Sequence, residues 1–256
     1  MGKADLHIHT TYSWDGSATV QAILEQAARY AQLDVIAITD HDTLKGAELA
    51  VYLGVRFGIA VIPGCEISTA DGHLIALFIE NLISPNLPIE STIEKVAEQN
   101  GICIVPHPLA LAVPSVGSKK LTQLLNIPHL RETLIGIETV NAGLLHWGSN
   151  QMATQLNKKL MLAEVGSSDS HIRNMVGSGL TNFKGKTPSA LKRCLLQRKT
   201  QAIYNNQGNR IGYYLSAAYR RLLRKAGWVT WTPSPSGPFM LRPLSEVQKP
   251  SGSFNA

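Results

Sequence analysis

The chain has 256 residues, 44% of them hydrophobic, and a formal net charge of +6; at this length one α/β barrel with an appendage fits as well as two domains. No stretch approaches the roughly 18 uninterrupted apolar residues of a membrane helix, the opening MGKADLHIHT leaves no room for a leader, and three scattered cysteines (Cys65, Cys103, Cys194) make neither a disulfide framework nor a CxxC site. A cytoplasmic protein without a transmembrane segment is expected. The charge is uneven: residues 1–183 carry 11 Lys and Arg against 17 Asp and Glu, whereas residues 184–256 carry 13 against 1, so the two parts face different partners.

In chain order, short apolar runs alternate with helical patterns. ADLHIHT precedes a helix at 18–31, and DVIAITDHD precedes one at 43–57. AVIPGCEIS passes through a hairpin-like TADG turn into HLIALFIE, followed by a helix near 89–99. GICIVPHP, LIGIETVN and LMLAEVGSSDSH precede helices near 118–126, 147–158 and 187–198. Seven strands, apolar on both faces and mostly joined by helices, predict α/β architecture with a parallel sheet. An open doubly wound sheet fits the same pattern.

The polar residues favour a barrel. His9, Asp40, His41, Glu66, His107, Asp169 and His171 each end an apolar run, and in a TIM-like barrel those ends converge on one face. His73 opens its strand, and the TADG turn returns it beside Glu66. The Gly-rich GSGLTNFKG at 177–185 lacks the Lys-Ser/Thr of a phosphate loop and reads as a loop. His129 and His146 read as surface residues.

Alternation along a strand points His7 and His9 the same way. Six of the eight histidines (His7, His9, His41, His73, His107, His171) and three carboxylates (Asp15, Glu66, Asp169) fall at or near strand ends on that face. Burying such a cluster without cations is costly. Mixed imidazole and carboxylate donors suit Zn, Mn or Fe better than Ca, with Mg also accommodated. No GxSxG elbow, GxxxxGK[ST] loop or GxGxxG fingerprint competes with a metal centre.

DLHIHTTYS.DG, AITDHD, PGCEIS, HL, PHP and GSSDSH, in that order, resemble the metal motifs of the polymerase and histidinol phosphatase (PHP) superfamily, in its branch of stand-alone phosphoesterases. The resemblance runs from residue 4 to about residue 201. It implies a distorted (β/α)7 barrel over 1–205 and two or three divalent ions. His7, His9, Glu66 and Asp169 would hold one ion. Glu66 would bridge to a second, held with His73 and His107, and Asp15, His41 and His171 would hold a third. Trp14 lengthens the usual YSDG to YSWDG. Asp40 and Glu138 look like carboxylates that orient ligating imidazoles, with a purely structural role the equal alternative for both.

The activity implied is phosphomonoester hydrolysis by metal-activated hydroxide, with Glu66, His107 and Asp169 at its centre. Arg173, directly after the last motif, is a candidate phosphate clamp by its position, an exposed solvated arginine being the alternative. The expected substrate is a small phosphorylated molecule, a nucleotide or nucleic-acid end first. Histidinol phosphate, or a metal-stabilised nucleic-acid-binding module, is the alternative. Beyond the resemblance, 206–228 reads as a basic amphipathic helix: Ile211, Tyr214, Leu215, Ala218 and Leu222 recur at helical spacing beside Arg220, Arg221, Arg224 and Lys225. It could guide nucleic acid, and the Pro/Ser/Gly-rich 229–256 is expected to be disordered.

Overall fold

The computed structural model describes residues 1–143, 146–205, 229–230 and 242–243. Two compact units divide the chain, 1–210 and 211–256. The second is described only where Val229–Thr230 pairs antiparallel with Arg242–Pro243. The basic helix read at 206–228 and most of the tail lie outside the described residues.

The first unit carries the strands and helices read from the sequence: β1 (Gly2–Asp5), α1 (Val20–Glu25), β2 (Val35–Ile38), α2 (Lys45–Phe57), β3 (Ala60–Thr69), β4 (Gly72–Leu77), α3 (Ile89–Glu98), β5 (Ile102–Val105) and α4 (Ser118–Leu125). They are followed by α5 (Pro128–Thr133), β6 (Leu134–Asn141), α6 (Trp147–Leu160), β7 (Ala163–Ser167), β8 (Gly179–Phe183), α7 (Pro188–Leu196) and β9 (Gln201–Tyr204). Local chemistry sets several boundaries. The Thr19 and Thr187 side chains accept amides in the first turns of α1 and α7, and Pro188 sits where its missing N–H costs nothing. Gly58 ends α2 in the left-handed conformation. α1 runs on into a π-helical turn at Gln26–Tyr30.

The sheet order is β7-β6-β5-β4-β3-β2-β1-β8-β9. β1, β2 and β3 are parallel, as are β5, β6 and β7, while the β3–β4 hairpin reverses direction through Ala70 and Asp71. The ends of the sheet meet: Ile8 bridges to Ser170, and the Thr181 hydroxyl donates to the Gly166 carbonyl at 2.8 Å. The result is a nearly closed, TIM-like barrel.

The stretch 177–185, expected to be a loop, instead contains β8, which closes the seam. Gly179 there and Gly166 on the facing β7 serve close approach. A Cβ at Gly179 would strike the Ser167 carbonyl, and one at Gly166 the Leu180 carbonyl. β9 and α5 were likewise not legible beforehand.

Strand parity divides the core. Val35, Ala37, Ile75, Leu77, Ile102, Ile104, Ala163 and Val165 share one cluster, capped by Leu191 and Leu195 of α7. The alternate residues Ile36 and Ile38 pack with α1 and α2, whereas Leu74, Ala76, Cys103 and Val105 pack with α3, α4 and α5. This two-sided burial explains why the strands read as continuous apolar runs. Among the described residues, no helix is long and apolar enough to cross a membrane.

Candidate metal centre

The carboxyl ends of β1, β2, β5 and β7 and the β3–β4 hairpin bring all nine candidate ligands together. His7 and His9 extend β1. Their Nε2 atoms lie 3.0 and 3.2 Å from Glu66 Oε2 and 3.4 and 3.5 Å from Asp169 Oδ1. The hairpin register sets His73 opposite Ser68, diagonal to Glu66, and His73 Nδ1 stands 2.9 Å from Glu66 Oε1. His107 Nε2 approaches the same oxygen at 3.0 Å. Around Asp15, Oδ2 is 2.8 Å from His171 Nε2 and 3.4 Å from His41 Nε2. The groups overlap more than the sequence suggested. His9 also joins Asp15, His41 and His171, and His41 Nδ1 comes within 3.4 Å of Glu66 Oε2.

The donors fit divalent cations. The Nε2 atoms of His7 and His9 face each other at 3.0 Å beside two carboxylates, so nitrogen lone pairs and anionic oxygens aim at shared points. His41 Nδ1 and His73 Nδ1 are buried and, although close to Glu66, are not aligned to hydrogen-bond with it. Imidazole and carboxylate around such points is transition-metal chemistry.

The electrostatics agree. Burial opposes protonation of His7, yet the charges of Asp169, Glu66 and Glu138 hold its pKa well above the ordinary value. Burial likewise opposes protonation of His9, which Asp169 and Glu66 nonetheless hold at about 10. Burial would raise the pKa values of Glu66 and Asp169, but the facing imidazoles, His7 first, hold both well below the usual carboxylate range. The carboxylates thus demand positive charge from protons or from metal.

Glu138, fully buried on β6, faces His7 Nδ1 at 2.9 Å, accepts the His107 amide at 2.7 Å and accepts the Ser167 hydroxyl at 2.6 Å. Asp40 does something else: it accepts the Thr10 amide and hydroxyl at 2.6 and 2.8 Å, and among the described residues it makes no hydrogen bond to a ligand imidazole. Asn141, missed in the sequence, donates to Glu138 at 2.8 Å and to Asp169 at 3.0 Å. A bulge between Glu138 and Val140 shifts the strand parity so that residues 138 and 141 share a face. Ser13 and Ser115 were missed too. Their hydroxyls lie 3.3 Å from His9 Nδ1 and 3.2 Å from His107 Nδ1.

The expected surface position of His146 is wrong. It is buried, its ring stacks on His107 at 5.4 Å, and its Nε2 lies 3.7 Å from Asp169. His129 is exposed and pairs with Glu94 at 3.3 Å. Arg173 donates to Glu25 at 3.1 Å and its guanidinium lies over the Tyr30 ring.

Fold and site together define an α/β barrel protein with a histidine–carboxylate cluster at the carboxyl mouth of its strands. The PHP domain family profile matches residues 5–214, and the chain belongs to that family. It is 38% identical over 126 residues to an uncharacterized protein of Methanocaldococcus jannaschii, covering 46% of this chain and 74% of that one. It is also 42% identical over 82 residues to a phosphoribosyl 1,2-cyclic phosphate 1,2-diphosphodiesterase of Eggerthella lenta, a match spanning 30% of each chain. In fold it is similar to a two-domain protein of Bacteroides vulgatus containing a predicted PHP-like metal-dependent phosphoesterase, with a TM-score of 0.66 at 19% identity, covering 92% of this chain and 72% of that one.

Proposed function

We propose that the chain is a metal-dependent phosphoesterase that hydrolyses phosphomonoesters, nucleotides or nucleic-acid ends first, at a centre of two or three ions. One observation carries the reading: the two oxygens of Glu66 face different imidazole pairs, Oε2 toward His7 and His9, Oε1 toward His73 and His107. A carboxylate so placed suits a bridge between two ions, with Asp169 completing the first set and Asp15, His41 and His171 supplying a third. When bound, such ions supply Lewis acidity toward phosphate oxygens and lower the pKa of water.

The chain's own groups organise the donors. Glu138 orients His7 through Nδ1, so its Nε2 is presented to the cluster. It also fixes the His107 backbone. Arg173 is our candidate phosphate clamp: its guanidinium donates to Glu25 at 3.1 Å, and serving the substrate would mean exchanging that carboxylate for a phosphate oxygen.

The match to the diphosphodiesterase favours a second reading, hydrolysis of a cyclic sugar-phosphate diester. The test is a panel of nucleoside monophosphates, nucleoside 3′,5′-bisphosphates, short oligonucleotides, histidinol phosphate and a cyclic ribose phosphate, offered to Mn- or Zn-loaded protein. Phosphate release from a monoester, abolished by chelator and by His9→Ala, is expected. Turnover of the cyclic diester in preference to every monoester would replace the first reading with the second, and turnover of none would refute both.

A further inference from the structure

Trp14, the residue that lengthens the first motif, is 73% exposed, yet the chain on either side of it is tied to the metal centre. On one side the Ser13 hydroxyl accepts the His41 amide at 3.1 Å and lies beside His9 Nδ1. On the other, Asp15 pairs with His171 at 2.8 Å. Upstream, Asp40 grips the amide and hydroxyl of Thr10, which in turn accepts the Tyr12 amide at 3.1 Å. The indole lies nearly parallel to the His41 ring, 19° between planes and 5.7 Å between centroids.

A single exposed tryptophan on an open surface calls for no explanation. This one is different because of where it is held. It extends a row of imidazoles in which His9 stacks on His171 at 4.3 Å and lies 4.7 Å from His41, tilted by 31°. It therefore presents a large flat apolar face beside the histidine–carboxylate cluster, where bound ions would attract a phosphate. A substrate with a phosphate at one end and a planar aromatic group a few bonds away would satisfy both features at once.

We propose that Trp14 is the stacking platform for the base of a nucleoside phosphate whose phosphoryl group occupies the metal centre. The proposal rests on the phosphoesterase reading above and deepens it, making the indole a specificity-determining residue. Every base has a π-face, so the platform accepts purines and pyrimidines alike, and it favours nucleoside phosphates over phosphates of the bare sugar.

Two measurements on the full-length, Zn-loaded protein test it. The first is the ratio of kcat/KM for adenosine 5′-monophosphate to that for ribose 5-phosphate. Trp14→Ala is expected to lower this ratio about tenfold, mainly through KM, and Trp14→Phe to retain most of it. The second is tryptophan emission. Adenosine 5′-monophosphate should quench a component that is missing in Trp14→Phe, and ribose 5-phosphate should not. A ratio in Trp14→Ala within twofold of the parent, or identical quenching in the parent and Trp14→Phe, overturns the platform. If no phosphoester is hydrolysed at all, the catalytic reading fails while the quenching still decides whether the base stacks on Trp14.

Discussion

Glu138 holds His107 in a conformation that the histidine would not choose unaided. The His107 backbone has φ of 30°, and its amide is accepted by Glu138 Oε2 at 2.7 Å. Asp169 is also left-handed, with φ of 50°, and Asn141 ties its carboxylate to Glu138. Two proposed ligands thus sit on strained backbone, which persists only where the surroundings over-determine it.

Glu138→Gln keeps the shape but replaces one charged acceptor by an amide. Facing His7 Nδ1 and the Ser167 hydroxyl, it disturbs the hydrogen bonds that orient His7. Metal affinity is expected to fall on the order of 10- to 100-fold, with the far-ultraviolet circular dichroism unchanged. Titration with Zn against a competing chelator measures it; unchanged affinity would show that Glu138 is structural only.

Glu66 offers an oxygen to each of two imidazole pairs, so Glu66→Ala should lose more bound metal than His73→Ala. Inductively coupled plasma mass spectrometry of protein reconstituted with Mn or Zn should find about two or three ions per parent chain. Fewer than about one ion in the parent would refute a multinuclear centre.

The electrostatics give a pH signature. His9 is held at about 10 in the ion-free fold, against an ordinary 6.5. The folded state therefore binds this proton more tightly than the unfolded chain, and the stabilisation, complete below pH 6.5, is lost as pH rises toward 10. Asp5, pushed up to about 6 by burial, is ionised over most of this window and does not mask the effect. With chelator present, Tm should fall across the window; with saturating Zn, which replaces the protons as the source of positive charge, the fall should be much smaller. Parallel curves would count against metal and protons sharing one site.

The β7–β8 seam depends on absent side chains. Gly166→Ala and Gly179→Ala each force a methyl group against a carbonyl oxygen of the neighbouring strand. Each is expected to cost about 1–3 kcal/mol, read by urea denaturation, whereas Gly117→Ala, with open space around its Cβ position, should cost far less.

The basic segment is testable without truncation. Changing Arg220, Arg221, Arg224 and Lys225 together to Ala should weaken oligonucleotide binding and flatten its salt dependence, because each phosphate neutralised releases counterions. Mononucleotide turnover should be nearly preserved. An unaltered salt slope would remove nucleic acid from the segment's partners.

The sequence by itself determined the strand–helix alternation and the cluster at the strand ends. A strand buried on both faces must be apolar along its length, and side-chain alternation leaves little choice about where His7 and His9 point. The paired short-range motifs, such as the Thr69–Gly72 hairpin that returns His73 to Glu66, were legible for the same reason: the geometry is local. What only the tertiary structure decided was long-range. Asn141 reaches the Glu138 side through a bulge that exists only in the pairing of β6 with β7. His146, an ordinary polar residue in sequence, is buried where its ring stacks on His107 and its Nε2 approaches Asp169. Gly179 looks like a loop residue until β8 is seen lying against β7, where its side chain would collide with the Ser167 carbonyl. Bulges, seams and the burial of a lone imidazole arise from contacts between segments far apart in the chain, and such contacts leave no periodic trace in the sequence.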